Sequence, residues 1–562
     1  MDTTKRLVEL GRADLKGRFD PVLDLVRDPF RPDRHQPHAS LWYAGASIES
    51  GDVSTAERII EQVLTMQELR GSDSHYGNFR WHYEDEVVID LNACQFVMEA
   101  MLRLRQERLG NELRDRVFAS IRLALSEAER LDVHWTYTNI YLLDVHNRIL
   151  AGQLLRDDDV RRAGEQRLQE WATRTKAVGA PHEFNSPTYA AVDLNCLADI
   201  ANRAEDAETR ELAMEMEHLV WRHTALHWHA PTLQLAGPHS RAYRRDVVGA
   251  SGFLKVVLYK LLGDERLLAP SPYYEGPDAE GHLIVAGIDY HCPPDAEAMF
   301  REPAARDVRE TVVLAPRVET VTHITPEFAL GTMSRPYGVG DPPEPWPMDN
   351  ACIAYWRRDG DAPGVLYTRY RVNGGPIGKA SSESLPRWMD IWEEGVFRTA
   401  QVGSKAIVAY GFMPRGQRSA ESLRLDIRLL GLSPGVADDG DAIVLADGEV
   451  YVGIVPLKPD NLGHSPHVTM WRDGEETVVS IVNYEGPAKV FWEYRSLSGP
   501  FWKENVRNGF ALWIASRYEF SSASDFRSAL ESVGISDETR DTGRVIKFGD
   551  VTLEYDLRQM WP

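Results

Sequence analysis

Four short clusters in the first half of the chain bring together residues that can move protons and hold anions. They are Trp81-His82-Tyr83-Glu84-Asp85-Glu86, His134-Trp135-Thr136-Tyr137-Thr138-Asn139, His182-Glu183-Phe184-Asn185-Ser186-Pro187-Thr188-Tyr189 and His239-Ser240-Arg241-Ala242-Tyr243. One chemistry that needs such a set is β-elimination at a uronic acid. The proton at C5 lies beside a carboxylate and is poorly acidic. The carboxylate must be neutralised by an amide, an arginine or a protonated acid, and a base and an acid must serve the two proton transfers. On this reading Asn185, and less directly Asn139, neutralise the carboxylate. His239 is the base, Tyr243 or Tyr189 the acid, and Arg241 the anion clamp, with Glu183 orienting one of them. Trp81, Glu84, His134 and Tyr137 line the rest of the substrate site. Hydrolysis is the competing chemistry. It needs two carboxyl groups across the glycosidic bond, and Glu84 with Glu183 is the pair the clusters offer.

The spacing of the clusters says what must position them. Each precedes an acidic signature: Asp90-Leu91-Asn92, Asp144-Val145-His146-Asn147, Asp193-Leu194-Asn195 and Asp246-Val247-Val248-Gly249. Their first residues are 54, 49 and 53 apart. A weaker fifth cluster is His35-Gln36-Pro37-His38, before Leu41-Trp42-Tyr43. A period of about 50 residues fits one antiparallel helix hairpin per repeat. Hairpins closing on themselves make an (α/α) toroid in which each cluster opens an inner helix, so all clusters share one rim. Glu57–Leu64 and Asn111–Leu131 are amphipathic helices. Simpler roles stand beside the chemical ones. Asp90, Asp144 and Asp193 would cap and cross-link helices. Glu84–Glu86 would form an acidic first helical turn. Ser186 or Asn185 would cap a helix with Pro187 in its first turn, and Arg241 would pair with Asp246.

The pattern changes near residue 265. Short alternating runs follow, among them Ala351–Trp356, Gly364–Val372, Ala406–Tyr410 and Thr477–Val482, and Asn373-Gly374-Gly375 reads as a hairpin turn. The expected fold is α+β and multidomain: an (α/α) toroid over residues 1–265, a Pro/Gly-rich connector over 266–303, and an antiparallel β-sandwich over 304–562 with a smaller terminal sheet.

This order of domains, with Asn, Tyr, His and Arg on the rim, resembles the toroid polysaccharide lyases, the heparinase II/III, alginate and hyaluronate lyase group. The segment Thr322-His323-Ile324-Thr325-Pro326-Glu327-Phe328-Ala329-Leu330-Gly331-Thr332 is similar to a β-domain segment of these proteins. The resemblance implies a lyase in which the β domain closes over the rim, and it makes His323 a candidate histidine of the cleft. The chain departs from the group in its short toroid and in lacking the Asn-His dipeptide of several alginate lyases.

Composition narrows the partners. With 63 Lys and Arg against 85 Asp and Glu, the net charge is −22, the wrong sign for a nucleic-acid or anionic-membrane binder. An oligosaccharide is the expected partner. No signal peptide is read at the N-terminus, and the four cysteines, Cys94, Cys196, Cys292 and Cys352, form no CxxC. Both features lead to an expectation of a cytoplasmic protein acting on imported oligosaccharides. No nucleotide-binding loop is present, and no cofactor is expected. His223 and His227 stand at i and i+4, with His229 beyond. They have no HExxH, no cysteine and no carboxylate within the segment, so no metal is expected. The loop Gly340–Met348, stiffened by prolines and tipped by Trp346, is expected over the cleft or against a second copy in a homodimer. Non-catalytic sugar binding is the third reading, carried by Trp346, Trp356, Trp388, Trp392, Trp471, Trp492 and Trp502.

Overall fold

The computed structural model describes residues 2–249, 252–271, 273, 281–341, 343–360, 362–373, 392–412, 418–432, 442–462, 466–491 and 506–557. Trp388, Trp492, Trp502 and the pair Gly374-Gly375 lie outside these residues.

The first half is helical: α1 (Thr3–Arg18), α2 (Pro37–Glu49), α3 (Val53–Leu64), α4 (Ala93–Leu102), α5 (Asn111–Leu131), α6 (Thr138–Leu155), α7 (Asp158–Val178), α8 (Tyr189–Arg203), α9 (Ala207–Leu226), α10 (Arg244–Val247) and α11 (Phe253–Leu262). The hairpins are α2/α3, α4/α5, α6/α7 and α8/α9. Their first members are the inner helices. Every residue of α6 from Thr138 to Gly152 is buried, as is α8 from Tyr189 to Ile200. The outer helices are amphipathic. In α5 the buried positions Leu113, Val117, Ile121, Ala124 and Ala128 form one stripe. Three outer helices start on an aspartate whose side chain accepts from the first turn: Asp52, Asp157 and Asp206. Neighbouring inner helices pack in the order α2, α4, α6, α8, α11, and α1 joins α11 back to α2, closing the ring.

The segment expected as a connector carries two further short helices, α12 (His282–Ala286) and α13 (Pro294–Arg301). α12 packs on α1, and α13 on α9, so the helical domain runs through Arg301. At the α1–α12 contact, a Cβ added to Gly11 would lie 2.8 Å from Leu283 Cγ. The Pro/Gly content that suggested a linker serves tight turns between short packed pieces.

The second half is antiparallel β. An eight-stranded sheet has the order His467–Asp473, Glu476–Phe491, Arg418–Leu430, Gly364–Val372, Cys352–Trp356, Phe328–Met333, Arg317–Ile324, Arg306–Leu314. A five-stranded sheet has the order Val396–Val402, Lys405–Phe412, Val506–Ser516, Val450–Pro456, Ile443–Asp447. Leu330, Leu366, Tyr370, Leu425 and Ile481 of the first sheet meet Phe397, Val408, Val452, Phe510 and Leu512 of the second in one core. The other face of the smaller sheet is covered by the helix Ala523–Val533 and a three-stranded sheet spanning Ile535–Asp556, the terminal sheet expected from sequence. Among the described residues no helix is long and apolar enough to cross a membrane.

The two domains meet along the outer face of the large sheet. Ala242, Val247 and Val248 share a buried cluster with Ile353, Tyr355, Val365 and Tyr367. The approach is close enough to need glycine on both sides. A Cβ on Gly237 would lie 1.7 Å from Ile353 Cγ2, and one on Gly331 would lie 1.8 Å from Gly237 O. Arg306, the first residue of the β domain's first strand, caps the end of α9, donating to the carbonyls of Leu226 (2.8 Å), Ala225 (3.1 Å) and Trp228 (2.5 Å).

Candidate functional site

Two loops and one helix start build the rim. The loop 181–188 leads into α8, the loop 236–243 leads into α10, and α6 begins at Thr138. Ser186 fastens them together. Its hydroxyl accepts from Tyr189 N–H (3.2 Å), capping α8, and donates to Arg241 O (2.7 Å). Pro187 falls in the turn before α8 rather than in its first turn. Asn185 sits at φ +50°, a left-handed conformation that asparagine tolerates better than most residues.

Asn185 and His239 form the first group. Asn185 Nδ2 donates to Ala236 O (2.7 Å) and Pro238 O (2.9 Å), so both amide hydrogens are spent on the neighbouring loop. Its Oδ1 is buried with no hydrogen-bond partner. This corrects the role expected for Asn185. An amide without a spare N–H cannot donate to a carboxylate. It offers a lone acceptor and holds the loop of His239. The His239 Nδ1 lies 3.1 Å from Asn185 O. A carbonyl only accepts, so Nδ1 carries the hydrogen and Nε2 is bare; Nε2 is buried and unpartnered. Burial, then the charge of Arg369, lowers the imidazole to about 3, which keeps it neutral.

The second group is centred on Arg241. Its Nη1 donates to Glu183 Oε1 at 3.0 Å. Glu183 Oε2 accepts from Asn139 N–H (2.8 Å) and Asn139 Nδ2 (2.5 Å). The guanidinium lies 4.3 Å from the ring centre of Tyr189, 4.6 Å from Trp346 and 5.2 Å from Tyr137. Arg241 Nε and Asn139 Oδ1 are buried without partners. The Tyr189 and Tyr243 hydroxyls are 2.5 Å apart. Burial raises the Tyr189 phenol well above its ordinary value, against the opposing pull of Arg241. Arg241 thus pairs with Glu183. Asp246, the alternative partner, accepts from Tyr243 N–H and Thr188 Oγ1 instead.

The β domain closes over this rim. Asn350 N–H donates to His239 O (3.0 Å), Ala242 N–H to Met348 O (3.3 Å) and Gly340 N–H to Thr136 Oγ1 (2.8 Å). His182 Nε2 lies 2.8 Å from Gly338 O. Trp346, on the proline-stiffened loop, packs 5.7 Å from Tyr137 and over Arg241.

Other candidates fall outside the two groups. Glu84 is held by His35, through the backbone N–H (3.0 Å) and Nδ1 (2.6 Å), in a loop that continues to Asn92. It opens no helix, so an acidic first turn is not its role. Trp81 packs on Phe96 and His38. His134 is exposed and bonds Thr136 (2.7 Å). No described contact joins Trp81, Glu84 or His134 to Arg241 or His239. Glu183 is fully engaged by Arg241 and Asn139, so both carboxylates of the hydrolytic pair hold fold partners in separate loops. His323 is corrected too: it pairs with Asp307 (2.7 Å), while Thr322 faces the rim and donates to Gly237 O (2.8 Å). The strand period of two sends adjacent residues to opposite faces.

The repeated aspartates divide. Asp144 cross-links Arg148 (2.8 Å), Arg167 (3.0 Å) and Gln95 (3.2 Å), and Asp90 caps locally on Asn92 N–H. Both oxygens of Asp193 are buried and unpartnered, and burial followed by the Glu183 charge raises its carboxyl well above the ordinary range. Sequence reasoning did not single out Tyr337 and Asn350. Tyr337 packs 5.7 Å from both His182 and Phe184, and Asn350 accepts from Arg369 (3.3 Å) while holding the loop of His239. Their one signal was adjacency to the Gly340–Met348 loop.

The fold and site define an (α/α) toroid followed by an antiparallel β-sandwich, with a buried Arg–Glu–Asn–Tyr cluster where the domains meet. A family model described as a domain of unknown function (DUF8769) matches residues 11–283, within the helical domain. A search of curated proteins gives no match. Among solved structures the chain is similar to heparinase III at 11% identity and TM-score 0.39, over 92% of this chain and 82% of that one. It is similar to the chondroitin AC lyase of Streptomyces coelicolor A3 in complex with chondroitin sulphate at 11% identity and TM-score 0.46, over 99% and 85%.

Proposed function

We propose that this chain is an oligosaccharide lyase that cleaves beside a uronate by β-elimination, working on imported oligosaccharides in the cytoplasm. The observation that carries the reading is one loop, 239–243, bearing a histidine held bare at Nε2, an arginine with an unpartnered N–H, and a tyrosine whose hydroxyl meets a second tyrosine. Burial lowers His239 and raises Tyr189, and environments that push two titratable groups apart assign base and acid.

In this reading Arg241 takes the substrate carboxylate. Aromatic rings flank its guanidinium, Glu183 fixes one donor, and Nε remains for the anion. Asn139, anchored on Glu183, has a second amide hydrogen to add. Neutralising the carboxylate acidifies C5, and His239 Nε2 takes that proton. An arriving anion favours the imidazolium, offsetting the burial that keeps the resting ring neutral. Tyr243 gives its proton to the leaving glycosidic oxygen, and Tyr189 replaces it along the 2.5 Å contact. The bond to the leaving oxygen breaks as the C4–C5 double bond forms. Asn185 positions His239.

The test is a panel of uronate-containing and neutral oligosaccharides, followed by ultraviolet absorbance and product mass together. Elimination gives new absorbance and products whose masses sum to the substrate. His239→Gln and Tyr243→Phe should each lower kcat on the order of 10²–10⁴-fold while keeping the native melting temperature. Products that gain water without absorbance would overturn the reading, as would full turnover in both variants.

A further inference from the structure

We propose that His223, His227 and Glu310 form a zinc site that pins the end of α9 to the first strand of the β domain. His223 lies in the last turn of α9 and His227 is the residue that ends it; they are buried to 4% and 1% exposure, with ring centres 5.0 Å apart. The carboxylate missing from their own segment comes from Glu310, on the strand Arg306–Leu314. One of its oxygens, Oε2, lies 2.8 Å from His227 Nε2 and 3.3 Å from His223 Nε2. The three ligand atoms all lie within 4.8 Å of one another. Zinc–ligand bonds of about 2.0–2.1 Å in a tetrahedron set neighbouring ligand atoms roughly 3.3 Å apart; His223 Nε2 stands at that distance from Glu310 Oε2, and His227 Nε2 stands closer, at 2.8 Å.

The hydrogen inventory supports a cation. The Thr322 hydroxyl has one hydrogen and donates it to Gly237 O (2.8 Å), so at 3.0 Å from His227 Nδ1 it can only accept. His227 Nδ1 therefore carries the ring hydrogen. In the neutral ring Nε2 then presents a lone pair to a carboxylate oxygen, and two acceptors face each other. A metal ion resolves that clash, as does a second proton on the ring, and the zinc measurements below separate the two. His223 Nε2, at the same oxygen, is also buried without a hydrogen-bond partner. A metal-ligating histidine characteristically donates its other N–H to an oxygen, as His227 does here. Two imidazoles with one carboxylate suit zinc better than calcium or magnesium, which take oxygen ligands. The Glu310 side chain is 21% exposed, leaving a solvent side for the fourth ligand. Thr322 and Gly237 connect the site to the loop that carries His239.

The test uses the full-length protein and zinc itself. Metal analysis after dialysis should find about one zinc per chain. A chelator should remove it and lower the melting temperature, and added zinc should restore it. His223→Gln and Glu310→Gln should each weaken zinc binding more than tenfold in competition with a chromophoric chelator; His223→Gln, which removes no hydrogen bond to the backbone, guards against a variant that fails to fold. Folded wild type that neither holds nor binds zinc, with a melting temperature indifferent to zinc and chelator, would overturn the proposal and leave a His227–Glu310 ion pair. So would a wild-type zinc affinity in His223→Gln. None of these readouts depends on enzymatic turnover.

Discussion

At the residue scale, the rim is a set of donors and acceptors whose commitments can be counted. Arg241 is held by one carboxylate and three rings, so its fork geometry matters as well as its charge. Arg241→Lys keeps the charge and loses the fork; kcat/KM on a uronate substrate should fall on the order of 10²-fold, measured by initial rates. Asp193 gives a prediction of opposite sign. It is a buried acid with neither oxygen paired, and its raised carboxyl binds a proton in the folded state that the unfolded chain has released. Stability therefore falls as pH rises above the ordinary carboxylate value. Asp193→Asn should be more stable than wild type by about 1–3 kcal/mol and melt higher, and the gap should widen from pH 5 to pH 8 in a thermal melt. A gap that narrows over that range would show that the Asp193 carboxylate is stabilised by its surroundings. The residue types at Arg241, Glu183, Tyr189 and Tyr243 were legible in sequence as one set. Which atoms were spent was not, because Asn185 uses its amide on carbonyls of a loop about fifty residues away.

At the element scale, the loop 236–243 is clamped between α8 and the large sheet. Its seat is a backbone-to-backbone contact between Gly237 and Gly331. Gly331→Ala puts a Cβ into Gly237 O. The loop must lift, at a cost of about 1–3 kcal/mol, and His239 and Arg241 lift with it. Turnover should fall although the substitution lies in the β domain and touches no rim side chain. Circular dichroism and a melt would separate displaced loop from unfolding. Helices α3 and α5 were visible in sequence through their periodicity. The helices α12 and α13 were not, because eight residues or fewer carry too little period to stand out against Pro and Gly. The face of His323 was equally hidden: alternation shows that 322 and 323 oppose each other, but not which side meets the toroid.

For the whole molecule, three buried histidines set a common pH limit. Burial lowers His182 and His229 to about 4 and His239 to about 3. The unfolded chain binds protons at these rings near pH 6.5 and the folded chain does not, so stability is full above that value and is lost as pH falls toward 4 and 3. The melting temperature should drop steadily across that window. His239→Gln should flatten part of the slope, each pKa unit being worth roughly 1.4 kcal/mol. A melting temperature constant from pH 7 to pH 4 would contradict the burial of all three rings.

The sequence by itself determined the helical half, its fifty-residue repeat and the antiparallel half. Periodicity and capping are local, and a repeat places equivalent residues equivalently whatever the fine geometry. Only the tertiary structure decided that Asn185 serves the loop and not an anion, that Asp193 stands unpaired among paired relatives, and that Glu310 completes a triad with His223 and His227. Each of those facts joins residues from different loops or domains. The number of hydrogens on an amide or an imidazole is fixed by chemistry, but where they go is settled by what the fold brings within 3 Å.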